Sequence, residues 1–287
     1  MYIAWKTTIG VLLFAYGAAA QTVSGIGTEG LTPTWENAAV RDGIVGPRGA
    51  ANHLDPRIVV FTGDSVIPHF IDGQFWQTAI TVVNLENHPT SFQVLFFQDD
   101  GTDFYVPVLG IGVVRGMNIT LSAAGSYTFE TAGISQAAGS GWALLSQANK
   151  DSVGSFAIFR YSPPGVPQQE AVVPTVNQFF DRFVLPFDNT GRFATGVAIS
   201  NPSPLSVSIE ATVRNEAGQT IDRRTVLLGK YAHQAFVLPT AWSSTAGIRG
   251  TVEFLSTGFG VGALGIRGNG NSFTSLNVIS NLNWLKF

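Results

Sequence analysis

Apolar and polar residues alternate with a period of two along the chain from Ile58 onward. In residues 91–97, for example, the apolar side chains of Phe92, Val94 and Phe96 fall on one face of an extended strand. Clusters of Pro, Gly and Asn interrupt such runs at regular intervals, and no segment carries a long helical stripe of apolar residues. Short alternating runs separated by turn residues are typical of β-sandwiches and barrels, so the pattern predicts an all-β chain.

The second half of the chain repeats the pattern of the first. Residues 66–101 match residues 183–218 without a gap, and each residue meets the one 117 positions later. The inward-facing phase is kept throughout, and a slip of one residue would turn every side chain to the other face. The sequence therefore predicts two tandem immunoglobulin-like β-sandwich units related by an internal repeat, unit 1 at residues 58–176 and unit 2 at residues 181–287. Identical pairs include Thr78 with Thr195, Asn84 with Asn201 and Gly101 with Gly218.

Several sequence blocks resemble those of a known group of proteins. They are IPHFIDG with WQTAITVVN, SVGSFAIFRYS with EAVVP, and RFVLPFDNTG with TGVAISNPS. Over most of residues 58–280 the chain is similar to uncharacterised secreted tandem β-sandwich proteins, immunoglobulin-like in their units, from environmental bacteria. The resemblance implies the same fold and export from the cell, and it implies no particular activity. The first copy departs from the pattern at the DNTG turn, where it reads IDGQ.

Residues 1–20 have the features of a cleaved secretory signal peptide. Lys6 provides the positive charge, residues 9–16 form a short apolar run, and the three alanines at residues 18–20 precede the cleavage site. Residues 21–57 follow without periodicity and are rich in Gly, Pro, Thr and Asn, which predicts an extended or disordered arm. No later segment reaches the length of about 20 apolar residues that spans a bilayer. We therefore expect no membrane span after signal cleavage and a secreted or cell-surface location.

Composition narrows the functional classes. Charged residues make up 12% of the chain and the formal net charge is −3, without a cluster of Lys or Arg. A nucleic-acid partner is therefore not expected. The chain has no cysteine, which excludes disulfides and thiolate metal sites. With 45% hydrophobic residues and few charges, the surface is expected to be polar but largely uncharged and prone to self-association.

No set of residues has the spacing of a catalytic site. The tripeptide at residues 63–65 resembles the nucleophile block of an esterase, but the chain has no Asp followed three residues later by the His that would activate the serine. The histidines are not at metal-ligand spacing either, and we predict that they lie at the surface or rim. We therefore expect no enzyme and no cofactor. The histidines are His53, His69, His88 and His233.

The turn at residues 99–103 is a candidate for calcium. Asp99, Asp100 and Asp103 could supply oxygen ligands. The matching turn at residues 216–220 lacks most of these carboxylates, whereas a hairpin turn around a glycine explains both copies. We therefore expect no metal and assign structural roles to Gly101 and Gly218 in these turns. We also assign structural roles to Arg160 and Arg267, which recur at matching strand ends and would form an ion pair or clamp a backbone carbonyl.

Three aromatic residues are candidates for ligand binding. Phe75 and Trp76 follow a turn at residues 72–74, and Trp242 follows Pro239. Sugar-binding sandwiches stack pyranose rings on exposed aromatic faces, because the C–H face of the sugar suits the π cloud. The competing interpretation is core packing, which Phe193 favours for Trp76 because it stands at the matching position in the second copy.

We therefore expect a non-catalytic secreted or cell-surface β-sandwich protein with an adhesion, assembly or ligand-binding role. Its partner would be a glycan or another surface protein. One alternative is a carbohydrate-binding or carbohydrate-active protein, because two facing carboxylates can be brought together by residues that are distant in sequence. The other is an outer-membrane β-barrel, which the terminal Phe287 after a strand-like segment suggests.

Overall fold

The computed structural model describes residues 64–147, 151–269 and 272–280. The predicted signal peptide at residues 1–20 and the predicted arm at residues 21–57 lie outside the described residues. The described chain is all-β, as the alternating pattern predicts. The strands of the first half are β1 (Ser65–Asp72), β2 (Trp76–Asn84), β3 (Thr90–Gln98), β4 (Val106–Val108), β5 (Gly112–Val114), β6 (Gly116–Leu121), β7 (Ser126–Glu130), β8 (Gly139–Gln147), β9 (Val153–Tyr161) and β10 (Gln169–Pro174). Those of the second half are β11 (Arg182–Asp188), β12 (Ala194–Ser200), β13 (Val207–Asn215), β14 (Thr220–Leu228), β15 (His233–Val237), β16 (Arg249–Thr257), β17 (Gly262–Gly268) and β18 (Phe273–Leu276), with a short helix α1 (Leu238–Ala241) after β15.

The strands form four sheets of four strands each, together with a small ribbon made of β4 and β5. We name them sheet A (β1-β8-β3-β6), sheet B (β10-β9-β2-β7), sheet C (β11-β16-β13-β14) and sheet D (β15-β12-β17-β18). The inner faces of sheets A and B share one buried core, and those of sheets C and D share another, so the chain forms two sandwich-like pairs of sheets. We call them the first and the second sandwich. Each sheet is open within the described ranges.

The two sandwiches have the same strand order. When β4 and β5 are set aside, the strands of the first half match those of the second in chain order. Sheet A then corresponds strand for strand to sheet C, and sheet B, read from β7 to β10, corresponds to sheet D, read from β15 to β18.

Side chains that are identical in the two halves make the same hydrogen bonds. Asn84 and Asn201 each donate from the side-chain amide to the carbonyl four residues later, at 2.8 Å in both cases, and accept from the N–H two residues later at 2.9 and 3.0 Å. Thr78 and Thr195 each donate to the carbonyl seven residues earlier, at 2.6 and 3.3 Å. These side chains satisfy backbone groups near strand ends, which an apolar residue could not do.

The gapless alignment of the two halves is wrong in β1. The register of β1 against β8 shifts between Ile67 and Phe70, which marks a β-bulge at Pro68 and His69. The pairing of β11 with β16 has no such shift. One extra residue therefore lies in β1, and it re-aims the side chain of His69 away from the regular alternation.

The predicted match between Arg160 and Arg267 is also wrong by one residue. Thr195 pairs with Arg267, whereas the matching Thr78 pairs with Phe159. Arg267 therefore stands at the position of Phe159, and Arg160 lies one residue further along, where successive side chains point to the opposite face of the sheet.

Sheet D is buried on both faces. Its inner face packs on sheet C, while its outer face contributes Ala198, Leu264 and Ile266 to the core of the first sandwich. Every residue of β1 is buried, partly against this outer face and partly in the first core. A Cβ placed on Gly262 of β17 would lie 3.4 Å from the Cβ of Pro68 in β1. The second sandwich thus covers the β1 edge of the first.

Candidate functional site

The outward face of sheet B exposes apolar side chains. Phe156 in β9 is 38% exposed and Val172 in β10 is 49% exposed, whereas Ala157 and Val173, one position along, are buried in the core. This follows from the alternation of side chains along a strand. We call this surface the B face, and it consists of Val83, Leu85, Phe156, Ile158, Val172 and Pro174, flanked by the hydroxyl groups of Thr81 and Thr128.

An ion-pair cluster closes one end of the B face. The Arg160 guanidinium lies 2.9 Å from Glu130 in β7 and 3.0 Å from Glu170 in β10. The hydrogen bond from Arg160 to Glu130, more than any other interaction, raises the pKa of this guanidinium. The cluster is partly exposed, so its contribution to stability is small. Its effect on the surface is to give an otherwise apolar and hydroxyl-bearing face one charged end.

Phe75 is the predicted ligand-binding residue that lies at the surface. Its side chain is 47% exposed. It ends a run of three left-handed residues, since Gly73, Gln74 and Phe75 have φ values of +92°, +47° and +75°. Such a conformation is rare for an aromatic residue, and its cost is met here by backbone hydrogen bonds from Gln74 N–H to Ser135 and from Ser162 N–H to Phe75, at 2.8 and 3.0 Å.

The two predicted tryptophans are buried. Trp76 is fully buried, and its ring lies 4.3 Å from that of Tyr161 and 5.5 Å from that of Phe273, measured between centroids. Trp242 packs 4.9 Å from Phe236 in the second core, because α1 turns the chain back over that core. Both candidates for ring stacking on a ligand are therefore buried, and core packing, the competing interpretation, accounts for their positions.

The three aspartates of the calcium candidate have separate partners. Asp100 accepts hydrogen bonds from the Thr102 side chain and backbone, which lower the pKa of its carboxyl group. Asp103 forms an ion pair with Arg115 at 2.8 Å. Asp99 is turned toward the second sandwich. Among the described residues, no group of three or more His, Asp or Glu side chains is arranged to hold a metal ion.

Two histidines meet at the junction between the sandwiches, contrary to the prediction that histidines lie at the surface or rim. His69 and His233 are both buried, with His233 as the first residue of β15. His69 Nδ1 lies 3.1 Å from His233 Nε2, and His233 Nδ1 lies 2.7 Å from a carboxylate oxygen of Asp99. Ser140 donates to the same carboxylate at 2.9 Å. The chain of hydrogen bonds joins the turn after β3 and the bulge of β1 to the second sandwich.

An aromatic stack lies beside the histidines. The rings of Trp142 and Phe97 are 4.6 Å apart and those of Phe97 and Tyr231 are 5.4 Å apart, and both pairs are stacked. Trp142 Nε1 also donates to the backbone carbonyl of Tyr231 at 2.7 Å. These contacts link the outer face of sheet A to the turn between β14 and β15, so the histidines and the stack together serve to hold the sandwiches in one arrangement.

Asp188, the last residue of β11, forms ion pairs with two arginines. Arg267 lies 2.8 Å from its carboxylate and Arg249 lies 3.1 Å from it, while the Arg267 guanidinium also sits 3.8 Å above the ring of Phe193. Burial opposes ionisation of Asp188, but hydrogen bonds from Thr190 and the charge of Arg249 outweigh it and lower the pKa to about 2. A cleft of about 350 Å³ adjoins this cluster, lined by Thr190, Asn215, Glu216, Ala217, Gly247, Ile248 and Arg249.

The remaining catalytic motif is inaccessible. Ser65 is buried in β1, where its hydroxyl accepts a hydrogen bond from the side chain of Gln147 at 3.1 Å. Within the described ranges, no helix combines the length and the apolar character needed to cross a membrane. No protein-family model, no curated protein and no solved structure matches this chain.

Proposed function

We propose that this chain is a non-catalytic secreted or cell-surface protein whose two immunoglobulin-like sandwiches arose by duplication and which serves in adhesion, assembly or ligand binding. The shared strand order and the matching hydrogen bonds of Asn84 and Asn201 support the duplication. The sequence features of residues 1–20 support export.

The observation that carries the binding role is the B face. Exposed apolar patches with a polar rim are typical of surfaces that bind a partner, because leaving them in water costs free energy that contact recovers. On this face Phe156 of β9 and Val172 of the neighbouring strand β10 are both exposed, and the hydroxyls of Thr81 and Thr128 lie next to them. By contrast, several partly buried polar clusters among the described residues have partners within the chain and stabilise the fold. Examples are Asp99 with His233, Asp188 with Arg267, and Glu253 with Arg182 and Arg214.

A second candidate function is carbohydrate binding at the Phe75 turn. The observation that favours it is the exposed aromatic ring held in a left-handed backbone conformation, since strain of this kind persists only where the surroundings fix it and clusters at functional sites. The ring stands beside the turns that contain Ser135 and Ser162, which could add polar contacts to a sugar.

Both proposals are tested by applying the mature chain, residues 21–287, to a glycan array and to immobilised copies of itself. Phe156→Asp changes the B face and Phe75→Ala changes the turn. Leu227→Asp is the matched control, because Leu227 is 73% exposed on β14 at an edge of sheet C. Circular dichroism and melting of each variant verify that it folds, and Val172→Asp replaces Phe156→Asp if the latter does not.

Loss of binding in Phe156→Asp but not in Leu227→Asp supports a role for the B face. Loss of glycan binding in Phe75→Ala alone supports the second candidate. Binding that no variant weakens would contradict both assignments of the site.

A further inference from the structure

We infer that the B face docks a second copy of this chain, and that it does so head to tail, on the β11 edge of the second sandwich of that copy. The inference rests on the duplication and the binding role proposed above, and it names the partner. It follows from comparing each surface of one sandwich with the same surface of the other.

The surface that corresponds to the B face is already used inside the chain. Phe156 pairs with Thr81 in sheet B, and Leu264 pairs with the matching Ala198 in sheet D. Leu264 is buried against the first sandwich, whereas Phe156 is exposed. The same positions on the same strands are thus covered in one sandwich and exposed in the other.

The edge that receives sheet D also has a counterpart. Sheet D covers β1, in which Val66 exchanges two backbone hydrogen bonds of 2.8 Å with Val176. In the second sandwich, Val184 of β11 exchanges two such bonds of 2.9 Å with Ile279. Because both residues bridge to the segment that follows the last strand of their sandwich, Val184 stands where Val66 does. Ile279 is 50% exposed, and Pro186, two residues after Val184 on β11, is exposed as well.

One chain therefore presents a docking face at one end and the edge that such a face covers at the other. Repeating the internal contact between molecules joins the B face of one copy to the β11 edge of the next. The two surfaces differ, so the contact is heterologous, and it closes into a ring or continues as an open array according to the rotation between copies.

The contact between copies is expected to be weaker than the internal one. Where sheet D has the small apolar residues Ala198 and Ala235, the B face has Thr81 and Thr128. The bulge that carries His69 is absent from β11, so the hydrogen bond between histidines has no counterpart. A contact that is more polar and lacks the hydrogen bond between histidines is typical of a reversible association, whereas the internal junction has both the apolar residues and this hydrogen bond.

The test uses the absence of cysteine from the chain, so that each introduced thiol is unique. Gly262, which stands at the position of Gly154, would place a Cβ 3.4 Å from the Cβ of Pro68 and 2.7 Å from a methyl group of Val66, which would have to shift. Disulfides have Cβ separations of about 3.5–4.5 Å. Gly154→Cys in one preparation and Pro186→Cys in another should therefore form a disulfide on mixing if the internal contact is repeated between copies. The nearest atom to a Cβ on Gly154 is a Leu85 methyl at 3.5 Å, so the substitution fits.

Equal amounts of the two single-cysteine mature chains are mixed under mild oxidation and analysed by non-reducing gels and by mass spectrometry of the linked peptides. Leu227→Cys mixed with Pro186→Cys is the control for random collision. We expect the linked pair of residues 154 and 186 at a yield at least several-fold above the control. A yield no greater than the control overturns the inference, and so does a predominance of links between two copies of residue 154, which would indicate face-to-face pairing.

The array experiment separates this inference from the proposed function. Glycan binding that Phe156→Asp abolishes, without the cross-link, leaves the binding role in place and overturns docking of a second copy. The cross-link without glycan binding supports both docking and the assembly role. The absence of both contradicts both.

Discussion

Gly101 and Gly218 occupy the same turn of the two sandwiches but have different surroundings. Their φ values are +83° and +76°, and each N–H donates to the carbonyl three residues earlier, at 3.0 and 2.9 Å. A Cβ on Gly101 would lie 2.1 Å from the backbone carbonyl oxygen of Lys230 in the second sandwich, whereas a Cβ on Gly218 would meet no atom within 4 Å. Alanine at these two positions therefore separates the cost of the left-handed conformation from the cost of disturbing the junction.

We expect Gly101→Ala to destabilise the chain more than Gly218→Ala. The left-handed conformation costs an alanine about 1–2 kcal/mol, which both variants share. Relief of the contact with the Lys230 carbonyl requires the backbone to move, and overpacking of this kind costs a further ~1–3 kcal/mol. For a chain of this size, 1 kcal/mol corresponds to about 2–4 °C in the melting midpoint.

The assay is thermal and urea unfolding of both variants, followed by circular dichroism. The shared turn makes Gly218→Ala the matched control for Gly101→Ala. Equal losses of stability in the two variants would refute the docking of the Gly101 turn on the second sandwich.

Three further predictions concern single side chains. Burial opposes the ionisation of Asp188, but its hydrogen bonds lower the pKa from 3.8 to about 2. The stabilising effect of the carboxylate is therefore complete above about pH 3.8 and is lost as the pH falls through about 2. The free energy of unfolding, measured with urea in this range, should depend less on pH in Asp188→Asn, and an unchanged dependence would contradict this. Trp142→Phe leaves the carbonyl of Tyr231 without its donor at a buried site, which should cost about 1–3 kcal/mol in urea unfolding, and a loss near zero would remove Trp142 from the junction. Asn84→Ala and Asn201→Ala should each cost about 1–3 kcal/mol by the same assay, because each removes side-chain hydrogen bonds to two backbone carbonyls and takes away the acceptor of the N–H two residues later. A large loss in only one of them would count against equivalent roles.

The all-β class and the inward faces of the strands are the part of the fold that the sequence predicts. Alternation fixes which side chains of β2 and β3 face the core, since a one-residue slip would expose all of them. The recurrence of Asn84 as Asn201 and of Thr78 as Thr195 marks positions where the backbone needs a polar side chain, so those identities persist while apolar neighbours vary.

The junction is the part that the sequence does not predict. The bulge at His69 changes the register of β1 without changing the run of apolar residues, so the hydrophobic pattern contains no sign of it. The burial of His233 depends on a surface of the other sandwich that is distant in sequence. The burial of Trp242 is hidden from the sequence for a similar reason, because it depends on α1 folding back over the second core. The bulge in β1 is defined by the register of β1 against β8, and the sequence pattern of β1 alone does not contain that register.

If the B face binds a second copy of the chain, the mature chain should associate in a concentration-dependent way. Sedimentation velocity of the mature chain over a wide concentration range, in parallel with Phe156→Asp and Leu227→Asp, tests it most directly. We expect a sedimentation coefficient that rises with concentration for the unaltered chain and for Leu227→Asp, and that stays at the monomer value for Phe156→Asp. A chain that is monomeric at all concentrations, or an association that Phe156→Asp leaves unchanged, would contradict the claim.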